Sequence, residues 1–327
     1  MSAEIVRWGV LGPGSIARAF ATGLRSASGA RLEAVASRTR ERADAFGEQF
    51  GVPRRHVGYE ALADDPEVDI VYIATPHPFH YENMLLCLER GKPVVCEKPF
   101  TINAAQADTV IRTARERGLF AMEGMWTRFF PLMGRLREVF AGGAIGEGVL
   151  LQADFGFRGG FDPRGRLFDP ALGGGSLLDV GVYPVSLASM LFGRPDRVTG
   201  LACMGVTGVD EVAAIALGYP GDRLALLASA VRANTAQDAS LTGTEGRVRV
   251  ESPWWRPSAM TLWSGDEERR IEEPFAGNGF NYEAEEAMRC LREGRTESAV
   301  LPLEETLAVM RTMDALRAGW GLRYPGE

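Results

Sequence analysis

A short apolar run over residues 5–11 feeds directly into Gly12-Pro13-Gly14-Ser15-Ile16-Ala17, and counted from Gly9 the stretch reads G-x-x-G-x-G-x-x-A. No other stretch limits the fold so tightly. A strand that must become a helix through paired glycines specifies a β-α unit whose backbone faces a ligand. The first of the pair permits the turn, the second clears room for a pyrophosphate, and Ala17 lets the helix sit close to the sheet. Free N–H groups at the helix start then face the phosphates. Residues 16–24 have helical spacing and 31–37 read as a second strand, so the fingerprint has the context it needs. The expectation is a dinucleotide held at Gly9, Gly12, Gly14, Ser15 and Ile16.

The end of that second strand speaks to which dinucleotide. An acid there would accept hydrogen bonds from the adenosine ribose. The chain offers Ser37-Arg38-Thr39-Arg40-Glu41-Arg42 instead. Serine and arginine suit a 2′-phosphate, because guanidinium is a planar, permanently charged fork. NADP is therefore expected on Ser37, Arg38 and Arg42, with NAD the second candidate and a solvated basic helix start the bland alternative.

The strand–helix rhythm continues with strands at 69–74, 93–96 and 119–122. Helices are expected over 80–90 and from a cap at Thr101 or Asn103 to about 117. Ligands of such parallel sheets sit beyond the carboxyl ends of the strands. That rim adds Thr75, His80, Glu97, Lys98 and the 123–129 loop. Lys98 stands between a buried strand and Pro99, which turns its cation toward the cleft; a surface pair with Glu97 is the alternative. His77 and His80 each suit a rim base or a hydrogen bonder at a helix start, and the structural role is favoured for both.

After Gly142-Gly143 the style changes. Residues 148–157 alternate as a long strand, and 158–172 are rich in Gly, Pro, Arg and Asp, as a loop over a pocket would be. Gly173-Gly174-Gly175-Ser176 then opens an apolar helix to about 192. Asp179 and Tyr183 lie four apart in it and so share a face. Strands follow at 198–206, 211–219, 223–233, 238–243, 247–251 and 259–263, then helices at 280–292 and 304–318. The fold class expected is α/β: a dinucleotide-binding domain over 1–124 and an α+β domain over 125–327 with a large, mostly antiparallel open sheet. A C-terminal helix is expected to pack back on the first domain. The sheet's second face favours a homodimer, with a higher oligomer as the variant.

Charge narrows the function. Lys and Arg number 36 against 43 Asp and Glu, a net −7, with no basic stripe, which argues against nucleic acid. The four cysteines lack metal-ligand spacing and there are three histidines, so no metal is expected. No uninterrupted run of roughly 18 apolar residues suggests a membrane span. No secretory leader is visible either, and a cytoplasmic location is the default.

Taken together, the glycine fingerprint, Glu97-Lys98-Pro99 and the glycine turn before Asp179 resemble the Gfo/Idh/MocA oxidoreductase family. His77-Pro-Phe-His80, Cys96-Glu-Lys-Pro-Phe100, Asn103-Ala-Ala105 and Trp126-Thr-Arg-Phe-Phe-Pro131 point to its dihydrodiol and NADP-dependent D-xylose dehydrogenase branch. Many relatives carry histidine where this chain has Tyr183, as that branch does. The resemblance implies hydride transfer between a nicotinamide and a hydroxyl-bearing carbon of a sugar or cyclic diol. It also implies a cis Lys98–Pro99 peptide and a dimer formed by the open sheet. Lys98, Asp179 and Tyr183 form the implied catalytic set. A free phenol has a pKa of about 10, and a nearby cation favours phenolate, so Tyr183 is read as acid/base and Lys98 as its activator. An ionised Asp179 would oppose phenolate, which assigns it to holding Lys98 or a substrate hydroxyl. Trp126, Arg128, Phe129, Phe157 and Phe161 are expected on the substrate side. A keto-sugar reductase, a glycosidase working by transient hydride transfer, and a cofactor-binding sensor are the competing readings.

Overall fold

β1 (Val6–Leu11) is the strand that runs into the glycine fingerprint, and the first of two sheets is built around it. The computed structural model describes residues 5–327. The sheet holds β1, β2 (Ala30–Ser37), β3 (Arg54–Val57), β4 (Ile70–Ile73), β5 (Val94–Glu97) and β6 (Ala121–Gly124). Their order is β3-β2-β1-β4-β5-β6, with every pair parallel. The order reverses between the two neighbours of β1, where a doubly wound sheet opens its ligand crevice. β4 and β5 are buried along their whole length, hence the apolar runs Ile70–Ile73 and Val94-Val95-Cys96, the second closed by the buried Glu97.

Packing on this sheet begins with Phe20 of the helix Ser15–Leu24, which stacks on Tyr72 of β4 at 3.6 Å between centroids. Burial of each such aromatic is worth about 1.5–3 kcal/mol. The helix Phe280–Arg292 returns from far along the chain to join the same unit. Gly23 is the residue that admits it: a Cβ there would lie 2.4 Å from Asn278 Oδ1 and 2.8 Å from Phe280 Cβ. The first unit thus contains the chain up to Thr101, Ala105–Trp126 and Ala276–Leu303, more than a single stretch ending at 124.

The second unit comprises Ile102–Ala104, Thr127–Phe275 and Glu304–Glu327. Its eight strands are β7 (Gly148–Gly156), β8 (Arg197–Met204), β9 (Asp210–Tyr219), β10 (Arg223–Ala230), β11 (Ala239–Gly243), β12 (Gly246–Val250), β13 (Ala259–Ser264) and β14 (Glu267–Glu272). They run in the order β14-β13-β12-β11-β7-β10-β9-β8. Only β7 and β10 pair in parallel, so the sheet is mixed and mostly antiparallel.

One face of this sheet is covered by the segment after the second glycine turn. It differs from the α-helix expected over 175–192: Leu177–Gly181 forms a π turn, and the α-helix proper is Val182–Phe192. Such turns recur at functional sites. By length and composition Pro170–Phe192 is apolar enough to cross a membrane, although Asp179 interrupts its apolar run, but 94% of that window is buried inside the fold. The opposite face leaves large side chains in the open, with Leu201 80% exposed and Leu224 and Leu226 nearly half exposed.

Candidate active site

In the first unit the fingerprint forms a turn that leaves a helix end open. Gly12 has φ +91°, and a Cβ on it would stand 3.0 Å from Thr75 Cγ2 and 3.2 Å from the Ala74 carbonyl. Only glycine fits both demands. Gly14 is the N-cap of Ser15–Leu24 and supplies no side-chain cap. A Cβ built on Gly14 meets nothing within 4 Å, and Gly14 and Ser15 are exposed. The first N–H groups of the helix therefore border free space, which suits a phosphate. Ile16, next along, is half-buried. Gly9 lies inside β1, where a Cβ would meet Val68 Cγ1 at 3.0 Å and Leu62 Cδ2 at 3.1 Å, so close packing is a second reason for glycine there.

At the end of β2, Ser37 is buried and its Oγ accepts from the Thr39 N–H at 3.4 Å. Arg38 and Arg42 are exposed, and among the described residues neither forms an ion pair. Both act on the half-buried Tyr59: burial pushes its phenol up, and the two cations pull it back. Two exposed guanidinium groups following the end of β2 suit a phosphate monoester. The residues present thus fit a dinucleotide bearing a 2′-phosphate.

Two rim residues turn away from the role expected of them. His80 is 0% exposed, with Nδ1 2.8 Å from the Pro99 carbonyl and Nε2 2.8 Å from that of Thr75. It braces the loop after β4 against the loop after β5 and presents no face to a cofactor. Burial pushes its pKa down and the Lys98 cation adds to that, against the pull of the two carbonyls. Thr75 Oγ1 in turn accepts from Asn83 at 3.1 Å. Glu97 is likewise buried, hydrogen-bonded to the Tyr72 hydroxyl and accepting the Lys98 N–H at 3.2 Å. Its carboxylate looks into the core, where Glu283 of the Phe280–Arg292 helix stands fully buried. Burial, then the neighbouring Glu97 charge, raises the Glu283 pKa well above the usual range. Lys98 is half-buried, and its bond to Pro99 is cis.

In the second unit Tyr183 is 7% exposed in the first turn of Val182–Phe192. The ring of Phe155 meets it edge-on at 5.1 Å, and Phe155 stacks on Trp255 at 4.8 Å with an interplanar angle of 3°. Asp179, 5% exposed on the π turn, accepts from Arg166 Nη1 at 2.8 Å. The Arg166 side chain is 59% exposed, so most of it faces solvent from the 158–172 loop. This pair offsets the negative charge that would oppose a phenolate at Tyr183.

Arg128 requires a correction. It is buried, with Nη1 2.7 Å and Nη2 3.1 Å from the two oxygens of Glu305 and Nη1 also near Ser186. A guanidinium so occupied is a strut, not a substrate ligand. Of the aromatic residues expected on the substrate side, Phe161 is exposed and edge-on to Phe168 at 5.0 Å, while Phe129 and Phe157 are half-buried. Trp126 belongs to the first unit and stacks on Phe280 at 4.6 Å. Phe155, Trp255 and Arg166 were not singled out from sequence. Strand alternation could have found Phe155, two residues before Phe157 on the same side; nothing local marked the other two.

Comparison with known proteins follows the same division. A model of the oxidoreductase family with an NAD-binding Rossmann fold, GFO/IDH/MocA, matches residues 6–125, and that of the GFO/IDH/MocA C-terminal domain matches 133–249. The chain is 37% identical over 334 residues to trans-1,2-dihydrobenzene-1,2-diol dehydrogenase of Mus musculus, covering 98% of this chain and 99% of that one. Its Homo sapiens counterpart is 36% identical over 333 residues with the same coverage. Among solved structures, an aldose-aldose oxidoreductase from Caulobacter crescentus complexed with glycerol superposes with a TM-score of 0.89 at 27% identity, over 98% of this chain and 99% of that one. A 3-ketoreductase from Actinomadura kijaniata in complex with NADP and TDP-benzene gives 0.86 at 27% identity, over 97% and 98%.

Proposed function

The chain belongs to the Gfo/Idh/MocA oxidoreductase family, and from that premise we propose that it is an NADP-dependent dehydrogenase of a cyclic trans-diol or a sugar hydroxyl. The observation that carries the reading is Tyr183, a phenol walled by Phe155 beside an Asp179 whose charge is met by Arg166. NADP, when bound, would supply the hydride acceptor for oxidation and the hydride donor for reduction. The chain's own groups manage the proton and the orientation. Tyr183 takes the hydroxyl proton in oxidation and gives it back in reduction, a role worth about 10²–10⁴ in rate. The family resemblance assigns Lys98 the part of the cation that favours phenolate and steadies the substrate oxygen. Trp255, half-buried and backed by Phe155, offers a flat apolar face to the ring carbons of a diol or sugar. Arg38 and Arg42 hold the 2′-phosphate and favour NADP over NAD.

Support for a homodimer comes from the open sheet face, where Leu201, Leu224 and Leu226 are exposed. Sedimentation of the purified protein tests it, a concentration-independent monomer being the contrary result.

The function is tested by offering trans-cyclic diols, aldoses and polyols with NADP or NAD. Net NADPH formation with at least one class, and higher kcat/KM with NADP, is expected. Glycoside cleavage without net NADPH would favour transient hydride transfer instead. Tight cofactor binding with no turnover on any of these would leave a sensor.

A further inference from the structure

The second glycine turn holds a buried acid that the chemistry above does not use. Asp210 opens β9 and is fully buried. Its Oδ2 accepts from Ser176 Oγ at 2.8 Å and from the Leu177 N–H at 2.7 Å. Those are the residues that begin the π turn carrying Asp179. Its Oδ1 occupies the space that a side chain at residue 175 would need: a Cβ on Gly175, at φ +116°, would lie 2.3 Å from it. Ser176 Oγ also meets Ser229 Oγ of β10 at 2.9 Å. From the other side the Tyr324 hydroxyl donates to the Gly174 carbonyl at 2.6 Å. The turn is thus held at Gly174, Ser176 and Leu177 by Tyr324, Asp210 and Ser229.

We infer that Asp210 is a positioning residue: its carboxylate anchors the start of the helical segment that carries Asp179 and Tyr183, and so fixes where the Tyr183 hydroxyl is presented. The inference rests on the catalytic reading of Tyr183 given above. A carboxylate at a helix start accepts its unpaired N–H groups and complements the dipole, and the second of these effects needs the charge. Burial raises the Asp210 pKa to about 6, with the Ser176 and Leu177 hydrogen bonds opposing. Protonation near that pH removes the charge and adds a donor, for which the buried Oδ1 has no hydrogen-bond partner among the described residues. The other ionisable groups around it are Tyr324, which burial and Asp210 push well above the phenol range, and Glu327 and Arg317 behind Tyr324. Glu211, paired with Arg232, adjoins Asp210 in β9, and Asp179 with Arg166 lies on the held segment.

The test is a pH profile of kcat and KM, from 5 to 8, for the wild type, Asp210→Asn and Tyr183→Phe. Wild-type kcat should fall as pH drops below about 6, while the KM for NADP holds steady. In Asp210→Asn that acid limb should vanish, and kcat at pH 7.5 should drop on the order of tenfold or more, as small misplacements do, again with the NADP KM within about twofold. Ser176→Ala, which keeps the Leu177 contact, should show a smaller loss of kcat and retain the acid limb; it decides the matter if Asp210→Asn does not fold. A folded Asp210→Asn with wild-type kcat, an acid limb that survives in it, or a Ser176→Ala enzyme with unchanged kcat would overturn the inference. Full kcat in Tyr183→Phe would instead sink the catalytic reading, whatever Asp210→Asn does.

Discussion

The chain contains two glycine-rich turns that each lead into a helix, and the structure treats them in opposite ways. At Gly12–Gly14 the helix start has no side-chain cap, and the direction a Cβ would take from Gly14 is open. At Gly173–Gly175 the equivalent space is filled by Asp210, whose carboxylate also takes the Leu177 N–H. The first turn leaves its positive helix end for an anion that must come from outside. The second has an anion of its own, supplied by β9. Glycines before a helix are thus an ambiguous signal: they report a close approach of backbone to something, and only the surroundings say whether that is a ligand or the protein itself.

The sharpest way to break this comparison is to put a methyl group on both turns. Gly175→Ala forces a left-handed backbone onto an L side chain and drives it into a buried carboxylate. The two effects together should cost on the order of 3 kcal/mol or more, read as a large fall in Tm. Gly14→Ala should leave Tm close to the wild type, because nothing in the protein stands in its way, and should instead weaken NADP binding. Equal losses of Tm would mean that the two turns are not different in kind.

A pH experiment sharpens the same contrast. The Asp210 carboxyl is held at about 6 in the fold against an ordinary 3.8. The folded state therefore retains a proton that the unfolded chain has released. Stability from this group is full below about pH 4, declines through pH 6 and is level above, by about 3 kcal/mol in all. Asp210→Asn should flatten that part of the stability curve, as measured by denaturant melts from pH 4 to 7. An unchanged slope would remove Asp210 as its source. Activity is expected to rise over the same interval in which this stability falls.

A smaller effect belongs to the open turn. Arg38→Ala should weaken NADP by roughly ten- to a hundredfold, about 1.4–2.7 kcal/mol, and NAD by much less. Equal losses in titrations with both cofactors would mean that Arg38 does not read the 2′-phosphate.

How much of this was legible in the sequence follows from what each feature is made of. The first sheet was readable because its central strands are apolar runs broken by glycine, and the open turn because its signal is local. β3 and β14 were missed. β3 reads Arg-Arg-His-Val and joins the sheet through its backbone, and the side chains of β14 are largely exposed, so neither shows an apolar alternation. The positions of His80 and Glu97 on the rim followed from strand ends, but which way each side chain points depends on acceptors such as the Pro99 carbonyl and the Tyr72 hydroxyl. Arg128 was misread for the same reason, since its partner Glu305 stands 177 residues away. Asp210 and Arg166 carry no local pattern at all. Their meaning lies in contacts with Leu177 and Asp179 that only the folded chain creates.

The most direct test of the account is the hydride-transfer step itself, followed in single turnovers with the wild type and Tyr183→Phe, beside the NADP dissociation constant of each. Tyr183 as acid/base predicts that the step slows by about a hundredfold or more while NADP binds as before. A Tyr183→Phe enzyme that transfers hydride at the wild-type rate, or whose deficit is explained by lost NADP affinity, would contradict it.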